Sequence, residues 1–176
     1  DVDLLIPYEQ LREARKIVTG LGYAEELLDL RQDFEEHFRN ELVFFRAAPL
    51  PCRVELHWGL LNFGGNEPWT AEAFERSVVT PKGRRLTDED TLLHLAAHAA
   101  YHHQNDRVMR ELDIALLLQA RGATIDFERV GDTAQVHRLM MPLRWAADTG
   151  TRLGDPPPPT MQAVIERRVV GRLERW

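Results

Sequence analysis

The sequence predicts an α+β protein in which a small mixed β-sheet precedes an α-helical bundle. Residues 1–6 and 53–58 alternate polar and apolar side chains, as half-buried strands do. Residues 41–47 are rich in aromatic and branched side chains, which favour strands. From Thr87 onward, apolar residues recur at helical spacing instead. We therefore expect an α/β domain at residues 1–80 and a helical domain at residues 81–176.

The pattern of the first domain predicts two or more antiparallel strands beside the strand at residues 1–6. Pro7 suits the start of a helix and Gly22 suits the cap at its end. The predicted elements are, in order, a strand at 1–6, a helix from Pro7 to about Leu21, strands at 34–38, 41–47 and 53–58, a loop at 59–69, a short helix from Thr70 to Arg76, and a basic turn at 81–85.

The second domain is predicted to be helical from a capping box onward, with Thr87 as cap and Asp90 three residues later. Four consecutive prolines within residues 155–159 predict a stiff spacer before the last helix. The predicted helices lie at about 88–104, 107–120, 126–137, 139–153 and 161–175.

Three carboxylates are the main candidates for a functional site. Asp1 and Asp3 share one face of the first predicted strand, and Glu55 lies on the polar face of another. If the two strands are neighbours, these groups converge, and clustered carboxylates repel one another unless a cation neutralises them. Magnesium is a suitable cation because it binds carboxylates together with substrate phosphates. Each motif alone is also typical of a solvated strand face or a capped turn.

The order of five short motifs resembles a known superfamily. The motifs are Asp1-Val2-Asp3-Leu4-Leu5-Ile6, Gly22-Tyr23, Val54-Glu55-Leu56-His57-Trp58, Leu92-Leu93-His94-Leu95-Ala96-Ala97-His98 and Leu112-Asp113-Ile114-Ala115-Leu116-Leu117. In this order they are similar to the polymerase-beta-type nucleotidyltransferases, and more closely to the bacterial family of uncharacterised nucleotidyltransferases. The resemblance covers about residues 1–120.

The resemblance implies a nucleotidyltransferase core that moves an NMP from an NTP to a hydroxyl of a small molecule or protein. Two magnesium ions would be held by Asp1, Asp3 and Glu55, which are also the catalytic candidates. Superfamily members carry a Gly-Ser element upstream of the paired aspartates, and no glycine-rich phosphate loop replaces it later in this sequence. We expect that this element either lies before residue 1 or is missing.

Four other residues are candidates for substrate binding. His57 lies on the carboxylate face of its strand, where it could contact a phosphate, orient the acceptor or support Glu55. Lys82, Arg84 and Arg85 could neutralise a triphosphate, although a solvated basic turn has the same composition. The formal net charge of −6 argues against a long nucleic acid as acceptor. A protein partner or self-association stays open.

His94 and His98 lie four residues apart on one predicted helix, a spacing that can bind zinc. The carboxylate and third ligand of a zinc signature are missing, so a hydrogen-bonded structural role is favoured, with Asp113 on the next helix as the expected partner.

Two other functional readings stay open. A non-catalytic binding or regulatory module would keep the fold without the activity, and a metal-dependent hydrolase would use the histidine helix. A single cysteine, Cys52, excludes an intrachain disulfide. No apolar run reaches the ~20 residues of a membrane span, and the N-terminus does not resemble a signal peptide. The interpretation is a bacterial-type cytoplasmic protein.

Overall fold

A computed structural model describes residues 2–26, 40–61, 66–101, 107–153 and 156–173. The architecture is the predicted α+β class, with strands in the first part of the chain and helices in the second. Two compact units are present, Asp1–Ala71 and Glu72–Trp176. The strand predicted at 34–38 and the residue Asp1 lie outside the described ranges.

The first unit contains one four-stranded mixed sheet with the strand order β1-β4-β3-β2. Strand β1 runs parallel to β4, whereas β4 pairs antiparallel with β3 and β3 pairs antiparallel with β2. The strands are β1 Val2–Leu5, β2 Ala24–Glu25, β3 Glu41–Arg46 and β4 Cys52–His57.

Helix α1, Leu11–Gly20, covers one face of this sheet. A 3-10 turn at Tyr8–Gln10 precedes it, so the regular helix begins four residues after Pro7. The core between helix and sheet contains Leu11, Val18, Leu42, Phe44, Val54 and Leu56. Because side chains alternate along a strand, this packing leaves the odd-numbered residues of β1, β3 and β4 on the opposite face.

The end of α1 follows the predicted glycine cap. Gly22 has φ +86°, and its N–H donates to the Thr19 carbonyl at 3.0 Å. The Tyr23 N–H reaches the Val18 carbonyl at 3.4 Å, and both side chains belong to the same apolar core. This is the Schellman arrangement, in which glycine tolerates the left-handed backbone and the lost helical carbonyls find donors.

Helix α2, Glu67–Arg76, begins three residues before the predicted Thr70. The reason is local hydrogen bonding around Asn66. The Thr70 N–H donates to the Asn66 carbonyl at 2.9 Å, and the Asn66 side chain exchanges hydrogen bonds with the backbone of Leu61. A polar residue that looked like part of a loop thus forms the start of a helix.

The predicted basic turn at 81–85 is part of a β-hairpin. Strand β5, Val78–Thr80, pairs antiparallel with β6, Gly83–Arg85. The strands are three residues long, which is too short for an alternating pattern to stand out in the sequence. Gly83 has φ +126°, a conformation that only glycine adopts without strain.

The described residues that follow the hairpin form the predicted helical bundle. Thr87 caps the first helix as expected, because its hydroxyl accepts the Asp90 N–H at 3.1 Å. Asp126 caps a later helix through the N–H groups of Glu128 and Arg129. The helices are α3 Asp88–Tyr101, α4 Arg107–Arg121, α5 Phe127–Val136, α6 Met140–Arg152 and α7 Pro159–Leu173.

Helix α7 begins at Pro159, two residues earlier than predicted, because proline is well suited to the first helical position. Residues 156–158 before it have no regular structure. The core of the bundle is formed by Leu92, Leu93, Ala96, Ile114, Val130, Leu143, Ala146, Met161 and Val164. Within the described residues, no helix is long and apolar enough to cross a membrane.

Candidate functional site

The register of β1 against β4 brings an aspartate and a glutamate from distant parts of the chain side by side. Asp3 is the direct partner of Glu55 in the parallel pair, and Leu5 is the partner of His57. Neighbouring strands lie about 4.8 Å apart, so partner side chains on one face are within contact range. The opposite face carries the buried Val54 and Leu56, which fixes the orientation of β4.

Asp3, Glu55 and His57 form a compact cluster on this face. One ligand atom of each side chain lies within 4.8 Å of the others. The side chains of Glu55 and His57 are each 19% exposed, whereas Asp3 is exposed. It is the one group of three or more potential metal-ligating side chains within the described ranges.

Two further side chains complete the polar face and were not singled out from the sequence. Arg53 donates from Nε to Glu55 Oε1 at 3.0 Å, and Glu41 Oε2 lies 3.9 Å from His57 Nδ1. Alternation along β4 already placed Arg53 on the carboxylate face. To predict Glu41 as part of this face, one would have to know that β3 lies next to β4 with Glu41 opposite His57. No local sequence pattern supplies that information.

The family comparison gives the class of protein. A family model described as "Uncharacterised nucleotidyltransferase" matches residues 1–149 of the 176-residue chain. The chain belongs to this nucleotidyltransferase family. No curated protein and no solved structure gives a significant match.

The donor atoms of the Asp3–Glu55–His57 cluster suit a divalent cation. Carboxylate oxygens are the ligands that magnesium and manganese prefer, and Asp3 and Glu55 each present one to the cluster. Two ligand atoms on opposite sides of a magnesium ion lie about 4.2 Å apart, from bonds of about 2.1 Å. Three atoms bound to one ion must also include adjacent pairs about 3.0 Å apart. Side-chain rotations that shorten some of the separations would therefore be needed for the group to share an ion.

A cation already lies against one of these carboxylates. The guanidinium of Arg53 contacts Glu55, and its NH2 lies 3.7 Å from Glu26 Oε2. The Arg53 side chain is 48% exposed, so it can leave this position without uncovering buried surface. Arg53 thus partly balances the negative charge that a metal ion would otherwise neutralise.

The three basic residues proposed for triphosphate binding lie on the hairpin of the second unit. Arg84 donates from Nε to Ser77 Oγ at 2.7 Å, and Arg85 pairs with Asp88 at 2.9 Å. The Lys82 N–H donates to Thr80 Oγ1 within the turn. These contacts give Arg84 and Arg85 a structural role within their own unit, and a role in phosphate binding stays a prediction for all three.

His94 and His98 stack on helix α3 with ring centroids 5.5 Å apart. The described neighbour of His98 is Arg110 of α4, which contacts the Nδ1 atom, whereas the expected partner Asp113 is exposed on α4. An arginine against an imidazole disfavours a bound cation at that nitrogen. The pair belongs to no metal-ligating group among the described residues.

Proposed function

We propose that this nucleotidyltransferase moves an NMP from an NTP to a hydroxyl of a small molecule or a protein. The observation that carries the proposal is the direct pairing of Asp3 with Glu55 on the half-exposed face of the sheet. Two negative side chains held beside each other by strand register repel, and a bound cation would remove the part of this repulsion that Arg53 does not balance. Family membership gives this cation site its reaction class.

Asp3 and Glu55 would hold the divalent metal, with Asp1 as a third carboxylate from the sequence pattern. Bound magnesium at such a site neutralises phosphate charge and increases the acidity of an acceptor hydroxyl. The protein groups hold the reacting parts in place, and such positioning supplies most of the catalysis in phosphoryl transfer. In this proposal Glu55 would also accept the proton of the acceptor hydroxyl.

Arg53 gives the face a mobile positive charge next to these carboxylates. When a cation takes its place at Glu55, the planar guanidinium becomes available for two parallel hydrogen bonds to a phosphate. The net charge of −6 supports a small molecule or a protein as acceptor, since long nucleic acids require clustered positive charge.

The test is transfer of label from each α-labelled NTP, with magnesium or manganese, to candidate acceptors or to the full-length protein itself. We expect label transfer and pyrophosphate release by the wild type, and a loss in Asp3→Asn of about 100-fold or more, the scale of removing one preorganised charged group.

Glu13→Gln is the matched control, because it removes one exposed carboxylate from α1 on the other face of the sheet. Equal transfer by Asp3→Asn and wild type would contradict the proposal. Metal-dependent nucleotide binding without any transfer would instead identify a non-catalytic nucleotidyltransferase-like module.

A further inference from the structure

His57 has a carboxylate near each of its two ring nitrogens. Its two ring nitrogens point to different carboxylates, with Nε2 lying 3.4 Å from Glu55 Oε2 and Nδ1 lying 3.9 Å from Glu41 Oε2. Metal-binding histidines usually coordinate through one nitrogen and donate the N–H of the other to a carboxylate or carbonyl. One ring nitrogen of His57 lies within the same 4.8 Å group as the oxygens of Asp3 and Glu55.

We propose that His57 is a metal ligand through Nε2, that Glu41 positions its ring, and that the resulting site favours manganese(II) over magnesium. The inference rests on the proposed function in taking this face as the metal site. It adds a nitrogen ligand to the carboxylates that the sequence pattern identified.

The burial of these side chains supports a fixed imidazole. The Glu41 side chain is 13% exposed and the His57 side chain is 19% exposed, so the imidazole and this carboxylate are largely shielded from water. The register places Glu41 directly opposite His57 in the β3–β4 pair. The present 3.9 Å separation is longer than a hydrogen bond, and closing by roughly 1 Å would form one.

The ligand set determines which ion is favoured. Magnesium coordinates oxygen almost exclusively and dehydrates reluctantly, whereas first-row transition ions accept imidazole nitrogen together with carboxylate oxygen. A site with two carboxylates and one imidazole therefore gains affinity for manganese from the nitrogen, without an equal gain for magnesium.

Pulsed electron paramagnetic resonance on the full-length protein with bound manganese(II) tests the ligand directly. We expect nitrogen modulation in the wild type that changes when histidine is labelled with ¹⁵N and that disappears in His57→Gln. Manganese affinity in His57→Gln should fall by about tenfold or more, the scale of disturbing a metal-bound histidine. Magnesium affinity should change less.

Glu41→Gln separates positioning from coordination. We expect the nitrogen modulation to persist in this variant, with manganese affinity reduced by about 10- to 100-fold. The matched control is His137→Gln, because His137 also lies beside a glutamate, at 3.3 Å from Glu72, but belongs to the second unit. It should leave both modulation and affinity unchanged.

Two results would overturn the assignment: manganese bound to the wild type without a nitrogen ligand, or undiminished modulation in His57→Gln. The first needs no variant, so a folding defect in His57→Gln does not prevent the test. A nitrogen-ligated ion in a protein that transfers no nucleotide supports the inference and contradicts the proposed function. Nucleotide transfer by a protein whose bound ion has no nitrogen ligand supports the proposed function and contradicts the inference.

Discussion

The ion pair between Arg76 and Asp90 provides a quantitative prediction about the stability of the second unit. Asp90 is only 2% exposed, and its carboxylate accepts hydrogen bonds from Arg76 Nε at 3.0 Å, Arg76 NH2 at 2.8 Å and the Thr87 hydroxyl at 3.0 Å. The Arg76 guanidinium keeps part of its contact with water, because the Arg76 side chain is 25% exposed. Arg76→Met would keep much of the aliphatic volume and remove the charge.

The expected cost of Arg76→Met follows from what remains around Asp90. Removing one partner of a buried ion pair costs about 3–5 kcal/mol. Protonation sets an upper limit on this cost. Neutralising an aspartate with a reference pKa of about 3.9 at pH 7 requires about 4 kcal/mol, so the unpaired charge cannot cost more than that. The Thr87 hydroxyl still offers one hydrogen bond, so we expect the free energy of unfolding to fall by about 3–4 kcal/mol at pH 7.

Equilibrium unfolding in urea, followed by circular dichroism, measures this change. The cost comes from a buried carboxylate that has lost its cationic partner, so the destabilisation should be full near neutral pH and should diminish in acid, where protonation removes that charge. Adding Asp90→Asn should recover much of the loss. The matched control is Arg167→Met, whose ion pair with Glu128 is more than half exposed on both sides and should cost at most about 1 kcal/mol. A loss below 1 kcal/mol in Arg76→Met would refute the argument.

One further prediction concerns charge at the sheet. Arg53→Gln should tighten manganese binding by about 1.5- to 5-fold in a calorimetric titration. In the variant a metal ion no longer has to displace the half-exposed ion pair between Arg53 and Glu55, which is worth about 0.2–1 kcal/mol. Weaker manganese binding would contradict this role of Arg53.

The two sides of the sheet differ in how far the sequence determines them. The apolar side was predictable, because Val54 and Leu56 alternate with polar residues and only one face can pack against α1. The pairing of Asp3 with Glu55 needed one further assumption, that two alternating segments separated by about fifty residues are neighbours. Family resemblance supplied that assumption, since periodicity gives the face of a residue but not its neighbour across the sheet.

The features that the sequence missed depend on contacts between elements. The hairpin β5–β6 is too short to show a pattern, and the start of α2 depends on hydrogen bonds around Asn66. Asp113 was expected to hydrogen-bond to His98, and the contact described for that imidazole comes from Arg110. Both residues lie on α4, and helical spacing alone does not determine which of them faces α3.

The site depends on a strand that contributes little to the apolar core. Val2 and Leu4, on the face opposite Asp3, are 45% and 43% exposed, so burial of these side chains holds β1 only weakly. The ladder with β4 fixes its register, extended by the Ile6 N–H that donates to the His57 carbonyl at 2.8 Å. A slip of one residue would turn Asp3 away from Glu55, because side chains alternate with a period of two. Repulsion between the carboxylates works against this register, and a cation bound between them reverses that effect. Metal binding should therefore stabilise the same β1–β4 pairing that creates the metal site, so that site geometry and strand register reinforce each other.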